Sequence, residues 1–404
     1  MVDERDELVE YEYLQTTGAI RDRASDVLGA ARRGELLNFK LNEARLPELA
    51  QRVLAVTREI YPDPRQIPYH GRYRHFDVGG VPRLERFLAT LSGATVDDRL
   101  RACAELTITS VLLDAGAGAS WRYTEADGGR YMRSEGLAVA SYHLFLSGAL
   151  GSDGSPCADA VGLSRYSAAD LERAFQVTDD NPLTGAAGRA GLLRELGRVV
   201  AATPKYFDPS RPRLGDLAVF LKRGADRGRI QARHVLEAVL EAFGPIWPGR
   251  ERLAGKPLGD VWRHSRFGLV PFHKLSQWLT YSLLEPLEAA GLRIDGVDML
   301  TGLPEYRNGG LFLDGAALEL VDPRAAEREH AVGSDLVIEW RALTVALLDQ
   351  LAALVRAELG LSAEQLPLAR VLEGGSWRAG RVLAREARSS GEPPLRIVSD
   401  GTVF

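Results

Sequence analysis

Apolar residues recur at steps of three and four positions along much of the chain, a spacing that predicts amphipathic helices. The first sixty residues are predicted as helices separated by short polar turns, ending before Pro62 and Pro64. The clearest stripe predicts a long helix with one face in the core and comprises Trp340, Leu343, Leu347, Leu351 and Leu354. Other helices are predicted over residues 97–113, 134–147, 168–177, 191–202, 230–243 and 271–288.

Strand patterns are sparse and short. They run from residues 310–313 through 319–321 and again over residues 395–398. The sequence therefore predicts a mainly α fold with a few short strands. Residues 68–80 combine aromatic, basic and glycine residues without periodicity, so they are predicted as an irregular loop of the kind that often carries function.

The glycine- and proline-rich stretches between the predicted helices are no longer than ordinary loops, so none of them is predicted as a linker. We expect residues 1–404 to form a single large helical domain. Two packed lobes are the alternative, one of about residues 1–95 with the C-terminal tail and the other a catalytic core of residues 96–360.

Composition and charge exclude several classes of protein. With 404 residues and 45% hydrophobic content, the protein has enough apolar sequence to bury a large core without disulfides, and its two cysteines fit a reducing compartment. A formal net charge of -5 argues against long nucleic acid as a partner. Because the sequence has neither a signal-peptide pattern nor an apolar run of about 18 residues, we expect a cytoplasmic protein that does not associate with membranes. The oligomeric state is left open.

Motifs of several common chemistries are missing from the sequence. It has no HExxH, no paired CxxC, no EF-hand loop, no dinucleotide fingerprint after a strand and no GxSxG. His70 and His75 are the only closely spaced histidines, and five residues apart on a loop they are weak support for a metal. We predict neither a metal nor a cofactor.

The densest chemistry lies between residues 272 and 307. A predicted helix there carries His273, Lys274 and Gln277, and it leads to a turn at residues 300–310 that resembles a helical hairpin. Pro304 and the paired glycines Gly309 and Gly310 predict a tight reversal of the backbone, which would hold Glu305 in a fixed orientation. Breaking a bond from an anomeric carbon to nitrogen builds positive charge on the sugar, and a fixed carboxylate stabilises this charge or deprotonates a water. The residues alone leave open a surface ion pair between Glu305 and its neighbour Arg307.

Four ordered motifs resemble those of the queuosine salvage protein family, which consists of queuosine-phosphate N-glycosidases. The motifs are Phe272–Gln277, Asp298–Thr301, Pro304–Arg307 and Ile338–Ala342. Asp114 and Trp121, seven residues apart, match an earlier segment of that family. The resemblance covers about residues 100–350. It implies a helical, DNA-glycosylase-like fold of the helix-hairpin-helix type.

Over nearly its whole length the sequence resembles a uracil-catabolism family that was long catalogued as a domain of unknown function. The motifs that carry this resemblance are residues 113–118, 133–139, 302–310 and 399–404. It implies a pathway in which uracil is joined to ribose phosphate and its ring is opened, which leaves urea on the anomeric carbon. An N-ribosidase acting on ribosylurea or its phosphate would then release the urea. The alternatives are a pyrimidine nucleotide or nucleoside N-glycosidase, and a non-catalytic protein that binds a pyrimidine metabolite or regulates the pathway.

The resemblances imply roles for individual residues. Glu305 takes the place of an aspartate in the queuosine enzymes and is one methylene longer, so it is expected to be a general base or to stabilise an oxocarbenium ion. Asp114 and His273 complete the predicted catalytic set, with His273 protonating the departing nitrogen. Asp114 is also expected to hydrogen-bond the urea, together with Glu135.

The remaining predicted site residues are substrate contacts. The partner is expected to be a small ribosyl molecule whose phosphorylation is left open. Either Trp121 or Tyr306 is expected to cover the sugar face. The other predicted contacts are Lys274, Arg307 and Arg133 for a ribose phosphate, Gln277, and His75 with Asp77 on a loop that closes over the site. Glu339 and Arg341 are expected to form a buried ion pair that fixes the last long helix.

Overall fold

The computed structural model describes residues 4–118, 120–247 and 251–398. The motif at residues 399–404 lies outside the described residues. The α-helices are α1 (Glu4–Leu14), α2 (Thr17–Arg32), α3 (Leu46–Ile60), α4 (Tyr73–Phe76), α5 (Arg83–Thr90), α6 (Val96–Leu112), α7 (Arg133–Leu146), α8 (Ala160–Arg165), α9 (Ala168–Ala174), α10 (Ala186–Ala202), α11 (Asp216–Arg223), α12 (Ala232–Phe243), α13 (Lys274–Ala289), α14 (Tyr306–Asp314), α15 (Asp335–Leu359), α16 (Leu368–Val371) and α17 (Trp377–Ala387).

The β-strands are two to four residues long, and in the described part of the protein each pairs with a single partner. They are β1 (Phe39–Leu41), β2 (Arg122–Thr124), β3 (Arg130–Met132), β4 (Arg229–Gln231), β5 (Arg252–Leu253), β6 (Lys256–Pro257), β7 (Val261–His264), β8 (Gly268–Pro271), β9 (Arg293–Asp295), β10 (Leu318–Leu320), β11 (Glu329–Ala331) and β12 (Arg396–Val398). The pairs are β1–β10, β2–β3, β5–β6 and β7–β8, all antiparallel, and β4–β9 and β11–β12, both parallel. The predicted mainly helical fold with a few short strands is confirmed.

The described residues divide into two compact units. The first comprises residues 4–70, 251–277 and 296–398, and the second comprises residues 71–118, 120–247 and 278–295. The backbone passes between them near residues 70, 277 and 295. The expected single domain, with two lobes as its alternative, stays a prediction. Helix α13 begins in the first unit and continues in the second.

Helix α15 is the centre of the first unit. It packs against α2, α3 and α14, and the predicted stripe residues Leu343, Leu347 and Leu351 are fully buried. The helix ends at Gly360, whose left-handed backbone (φ 65°) is the conformation that most often terminates a helix. Burying this apolar face removes several large side chains from water and is the main stabilising term for the helix.

The second unit is assembled around α6, α7 and α10. Helix α6 packs against α7, and α10 packs against α8 and α9. The observed bounds of α6, α7, α12 and α13 lie within three residues of the predictions. Among the described residues, no helix is both long enough and apolar enough to cross a membrane.

Three local predictions are wrong, and the third concerns the glycines at 309 and 310. Residues 310–313 were expected to form a strand, but they lie in α14, and only Leu318–Leu320 form β10. A short apolar run is compatible with a buried helix or a strand, so periodicity alone does not separate the two. The supposed irregular loop at residues 68–80 also contains the short helix α4. The DNA-glycosylase-like fold stays a prediction.

Gly309 and Gly310 lie inside α14 and not in a turn. A Cβ atom on Gly309 would lie 2.7 Å from Cε2 of Trp340, so the missing side chain lets α15 approach α14 closely. The indole of Trp340 also donates a hydrogen bond to the carbonyl of Gly309 at 3.1 Å. The glycine is therefore a packing residue, and this contact fixes the helix that follows Glu305.

Candidate functional site

The predicted site residues are divided between the two units. Glu305, His273, Lys274, Gln277, Tyr306 and Arg307 belong to the first unit, whereas Asp114, Trp121, Arg133, Glu135, His75 and Asp77 belong to the second. Each group has its own polar cluster.

Glu305 is the N-cap of α14. Its backbone is extended, and its carboxylate accepts hydrogen bonds from two backbone N–H groups of the first turn: Arg307 N to Oε2 at 2.7 Å and Asn308 N to Oε1 at 2.5 Å. The positive end of the helix dipole favours the ionised carboxylate at this position. The guanidinium of Arg307 donates instead to the carbonyl of Gly391 at 2.9 Å. The carboxylate is therefore oriented by the backbone of its own helix.

The surroundings of Glu305 change its acidity. Burial raises the pKa of this carboxyl above the usual range, and the two backbone donors and the charges of Lys274 and His70 offset only part of that rise. A raised pKa makes a carboxylate a stronger base in its ionised form. Glu305 is thus a carboxylate fixed by its own helix, and its pKa lies above the usual range.

The start of α14 is held by buried polar contacts. The Asn308 side chain donates to the carbonyl of Leu303 at 3.1 Å and accepts from the Ser376 hydroxyl at 3.0 Å. Ser376 ends a π-helical segment, Leu372–Ser376, and such segments are frequent at functional sites. The backbone that carries Glu305 is therefore braced from residues about 70 positions later in the sequence.

The same π-helical segment supplies Glu373. Its Oε2 lies 2.9 Å from Nδ1 of His70, and its Oε1 accepts from the Tyr61 hydroxyl at 3.1 Å. Both members of the His70–Glu373 pair are buried. In the sequence, His70 was only a weak candidate for a metal ligand, and Glu373 was not predicted as a site residue. The two are 303 positions apart, so no local spacing could have indicated the pair.

The start of α13 is fixed by a buried ion pair. Arg341 donates to both oxygens of Asp260, at 2.9 and 2.7 Å, and its guanidinium lies 4.0 Å from the ring centroid of Phe272. Asp260 Oδ2 also accepts from the backbone N–H of Lys274, the first residue of the helix, at 2.9 Å. This pair connects two of the sequence motifs and orients the first turn of α13.

The predicted ion pair between Glu339 and Arg341 is therefore wrong, because each residue pairs with a different partner. Arg341 takes Asp260, and a carboxylate oxygen of Glu339 lies 3.4 Å from Nε2 of His264. Residues 339 and 341 are two positions apart on a helix and point in different directions, which explains why the pair does not form.

Gln277 follows Lys274 by three residues, so the two side chains share one face of α13. It is fully buried, and neither the oxygen nor the nitrogen of its amide makes a hydrogen bond to any described atom. Leaving such a group unsatisfied costs about 1–3 kcal/mol for each polar atom.

His273 and Tyr306 have structural contacts. His273 is buried, has a positive φ of 47°, and its Nε2 lies 2.9 Å from the carbonyl oxygen of Leu14. This nitrogen therefore donates to the backbone, which favours a structural role over proton transfer. The Arg307 guanidinium lies 4.9 Å from the centroid of the Tyr306 ring.

In the second unit, Arg72 is the centre of a buried polar cluster. Its Nε donates to the Ser110 hydroxyl at 2.6 Å, and its Nη1 lies 3.2 Å from Asp114 Oδ1. Ser134 donates to Asp114 Oδ2 at 2.7 Å. The Nη1 atom also lies 3.1 Å from Nδ1 of His75, which places the proton of a neutral imidazole on Nε2.

The Arg72 side chain is fully buried, and its Nη2 makes no hydrogen bond to any described atom. Burial lowers the pKa of Arg72, and the charge of Asp114 opposes this effect. The cluster brings the predicted residues Asp114 and His75 together. Arg72 is not among the predicted site residues, because nothing in its local sequence distinguishes it from the many other arginines of the protein.

Trp121 and Asp77, two further predicted residues of the second unit, make hydrogen bonds outside this cluster. Trp121 is fully buried, stacks on Phe175 and donates to the Phe175 carbonyl at 2.9 Å. Asp77 is exposed and accepts from the backbone N–H of Leu84 at 2.9 Å. Arg133, which is exposed, and Glu135 both lie in the first turn of α7. The substrate contacts expected of these four residues stay predictions.

Two open clefts of about 570 and 660 Å³ lie in the second unit. Described residues that line the first include Tyr123, His143 and Tyr166, and those that line the second include Tyr206 and His234. The predicted site residues are not among the described lining residues of either cleft.

Taken together, these features define a mainly helical protein with two polar clusters, one around a glutamate that caps a helix and one around a buried arginine. The protein belongs to the family described as "Protein of unknown function (DUF1688)", which it matches over residues 13–404. It is 41% identical over 396 residues to protein urg3 of Schizosaccharomyces pombe, covering 95% of this chain and 96% of that protein. It is 37% identical over 436 residues to uracil catabolism protein 4 of Lachancea kluyveri, covering 97% and 98%. The resemblance to the uracil-catabolism family is thus confirmed.

Proposed function

We propose that this protein acts in uracil catabolism as an N-glycosidase that hydrolyses ribosylurea, or its phosphate, to urea and ribose or ribose phosphate. The observation that carries the proposal is the carboxylate of Glu305, held by two backbone N–H groups while burial raises its pKa. The name of the Lachancea kluyveri relative supports the pathway.

The reaction requires one proton acceptor and one electrostatic stabiliser near the anomeric carbon. The oxygen of a water forms a bond to that carbon while its bond to the urea nitrogen breaks. Glu305 accepts the proton of the water or stabilises the positive charge that develops on the sugar. The departing nitrogen gains one proton, so the sugar receives the hydroxyl group and the urea receives the hydrogen.

Lys274 is the proposed contact for a substrate phosphate. Its positive charge lowers the pKa of Glu305, and a lysine ammonium is a suitable point charge for binding an anion. The Asp260–Arg341 pair orients the helical turn that presents it. His273 is left out of the mechanism, since its Nε2 is bonded to the backbone.

The test is to incubate the protein with ribosylurea and with its 5-phosphate and to measure the urea released. Glu305→Gln should lower turnover by about two to four orders of magnitude, the usual contribution of general-base catalysis. Glu319→Gln, at an exposed position in β10, is the matched control and should leave the rate unchanged. Circular dichroism establishes that both variants fold.

A near-normal rate for a folded Glu305→Gln protein would refute the assignment of this residue. Release of uracil from a uridine nucleotide or from uridine, without release of urea from either ribosylurea, would replace the substrate with a pyrimidine nucleotide or nucleoside. Saturable binding of ribosylurea without turnover would identify a non-catalytic binding protein.

A further inference from the structure

The amide of Gln277 is a buried polar group whose hydrogen-bonding capacity is unused. Its oxygen and its nitrogen both lack a partner among the described atoms, and the residue has no solvent exposure. A primary amide offers a donor and an acceptor side by side in one plane. Such an amide forms two hydrogen bonds at once with a ligand that places a C=O group opposite the amide nitrogen and an N–H group opposite the amide oxygen.

The position of Gln277 is fixed by the helix that carries it. Its backbone N–H donates to the carbonyl of His273 at 2.8 Å, in the first turn of α13. That turn is held through Asp260, which accepts from Lys274 N at 2.9 Å and is itself bound by Arg341. The amide is therefore displayed by a rigid element, one helical turn from the lysine whose charge lowers the pKa of Glu305.

We propose that Gln277 recognises the ureido edge of the substrate, an N–H group adjacent to a C=O group. The amide nitrogen of Gln277 donates to the ligand carbonyl, and the amide oxygen of Gln277 accepts from the ligand N–H. The two bonds satisfy both unpartnered atoms at once. The proposal deepens the proposed function and rests on it for the ribosyl part of the ligand.

The class of ligand follows from this edge. Ribosylurea carries it in the group attached to the anomeric carbon, and uracil carries the same arrangement in its imide. Ribose 5-phosphate has a sugar and a phosphate but lacks the edge. Comparing ligands with and without it therefore isolates the contribution of Gln277.

The experiment measures affinity by calorimetry in the full-length Glu305→Gln protein, in which the ligand is not consumed. Gln277→Leu, which has a similar size and no polar atoms, should weaken binding of ribosylurea by about 10- to 100-fold, as expected for the loss of two neutral hydrogen bonds. The affinity for ribose 5-phosphate should be unchanged. Gln277→Leu should also weaken the binding of uridine, because uridine has the same N–H and C=O edge as ribosylurea.

Thermal unfolding without ligand separates recognition from a structural role. Gln277→Leu removes an unsatisfied buried amide, so its Tm should equal or exceed that of the parent protein. Gln15→Leu is the matched control: Gln15 is partly buried in the same unit and its amide donates to the Leu258 carbonyl at 3.4 Å, so binding of either ligand should be unaffected.

A lower Tm for Gln277→Leu, with equal losses of affinity for ribosylurea and ribose 5-phosphate, would overturn the proposal and make Gln277 a structural residue. Unchanged affinity for ribosylurea would overturn it as well. Failure of the proposed function would give a distinct result. The native protein would bind ribosylurea in a way that depends on Gln277, but it would release no urea.

Discussion

Replacing Gly309 with alanine tests whether the packing of α14 against Trp340 fixes the carboxylate of Glu305. The added methyl group would lie 2.7–2.9 Å from three indole atoms, so the indole or the helix must move. Overpacking of this kind costs about 1–3 kcal/mol, and loss of the indole hydrogen bond to Gly309 adds about 1 kcal/mol. Replacing glycine by alanine within a helix returns about 1 kcal/mol. The net destabilisation is therefore about 1–3 kcal/mol.

Gly310 is the matched control because it is the next residue of the same helix. A Cβ atom there would meet Pro394 Cδ at 3.3 Å, a contact that a small shift relieves. Gly310→Ala therefore keeps most of the gain in helix propensity, up to about 1 kcal/mol. Tm values and initial rates of urea release are measured for both variants.

We expect Gly309→Ala to lower both Tm and kcat, with kcat reduced by about 10- to 100-fold as the carboxylate moves from its position. Gly310→Ala should retain the Tm and kcat of the native protein or raise the Tm slightly. Equal behaviour of the two variants would refute the packing role of Gly309. A lower Tm with normal kcat in Gly309→Ala would show that the contact stabilises the helix without orienting Glu305.

Three further predictions concern the Asp260–Arg341 pair and the pH dependence that Glu305 confers. Arg341→Met leaves the buried carboxylate of Asp260 without its charge partner, so it should lower the free energy of unfolding by about 3–5 kcal/mol in denaturant unfolding. Adding Asp260→Asn to this variant should restore part of the lost stability. If the losses of the two single variants simply add in the double variant, the pairing is refuted. The rate should fall at acid pH as Glu305 is protonated, and because its pKa is raised by burial this fall should occur at higher pH than for an ordinary glutamate. Lys274→Met removes a charge that lowers this pKa, so it should move the acid limb of the kcat profile to still higher pH, whereas Lys256→Met should leave the limb in place.

The helices could be predicted from sequence wherever an apolar stripe was long. The stripe from Trp340 to Leu354 indicated α15 because a three- and four-residue period over many turns fits only a helix. The glycines at 309 and 310 were misread, since glycine serves both turns and close helix packing, and only the position of Trp340 distinguishes the two.

The candidate site was predictable only where its residues are neighbours in sequence. Glu305 and the residues from His273 to Gln277 stood out as local groups, and their motifs indicated a family. The partners of these groups could not be found in this way, because His70 with Glu373 and Asp260 with Arg341 meet only after folding. The burial that raises the pKa of Glu305 is likewise a property of the folded protein.

The interleaved first unit has a consequence for synthesis on the ribosome. Helices α2 and α3 end by residue 60, but their packing partner α15 is complete only at residue 359. At about 5–20 residues per second, roughly 15–60 seconds separate the two events. During this interval α2 and α3 lack α15, which covers much of their apolar surface in the folded protein, and exposed apolar surface of this kind favours aggregation.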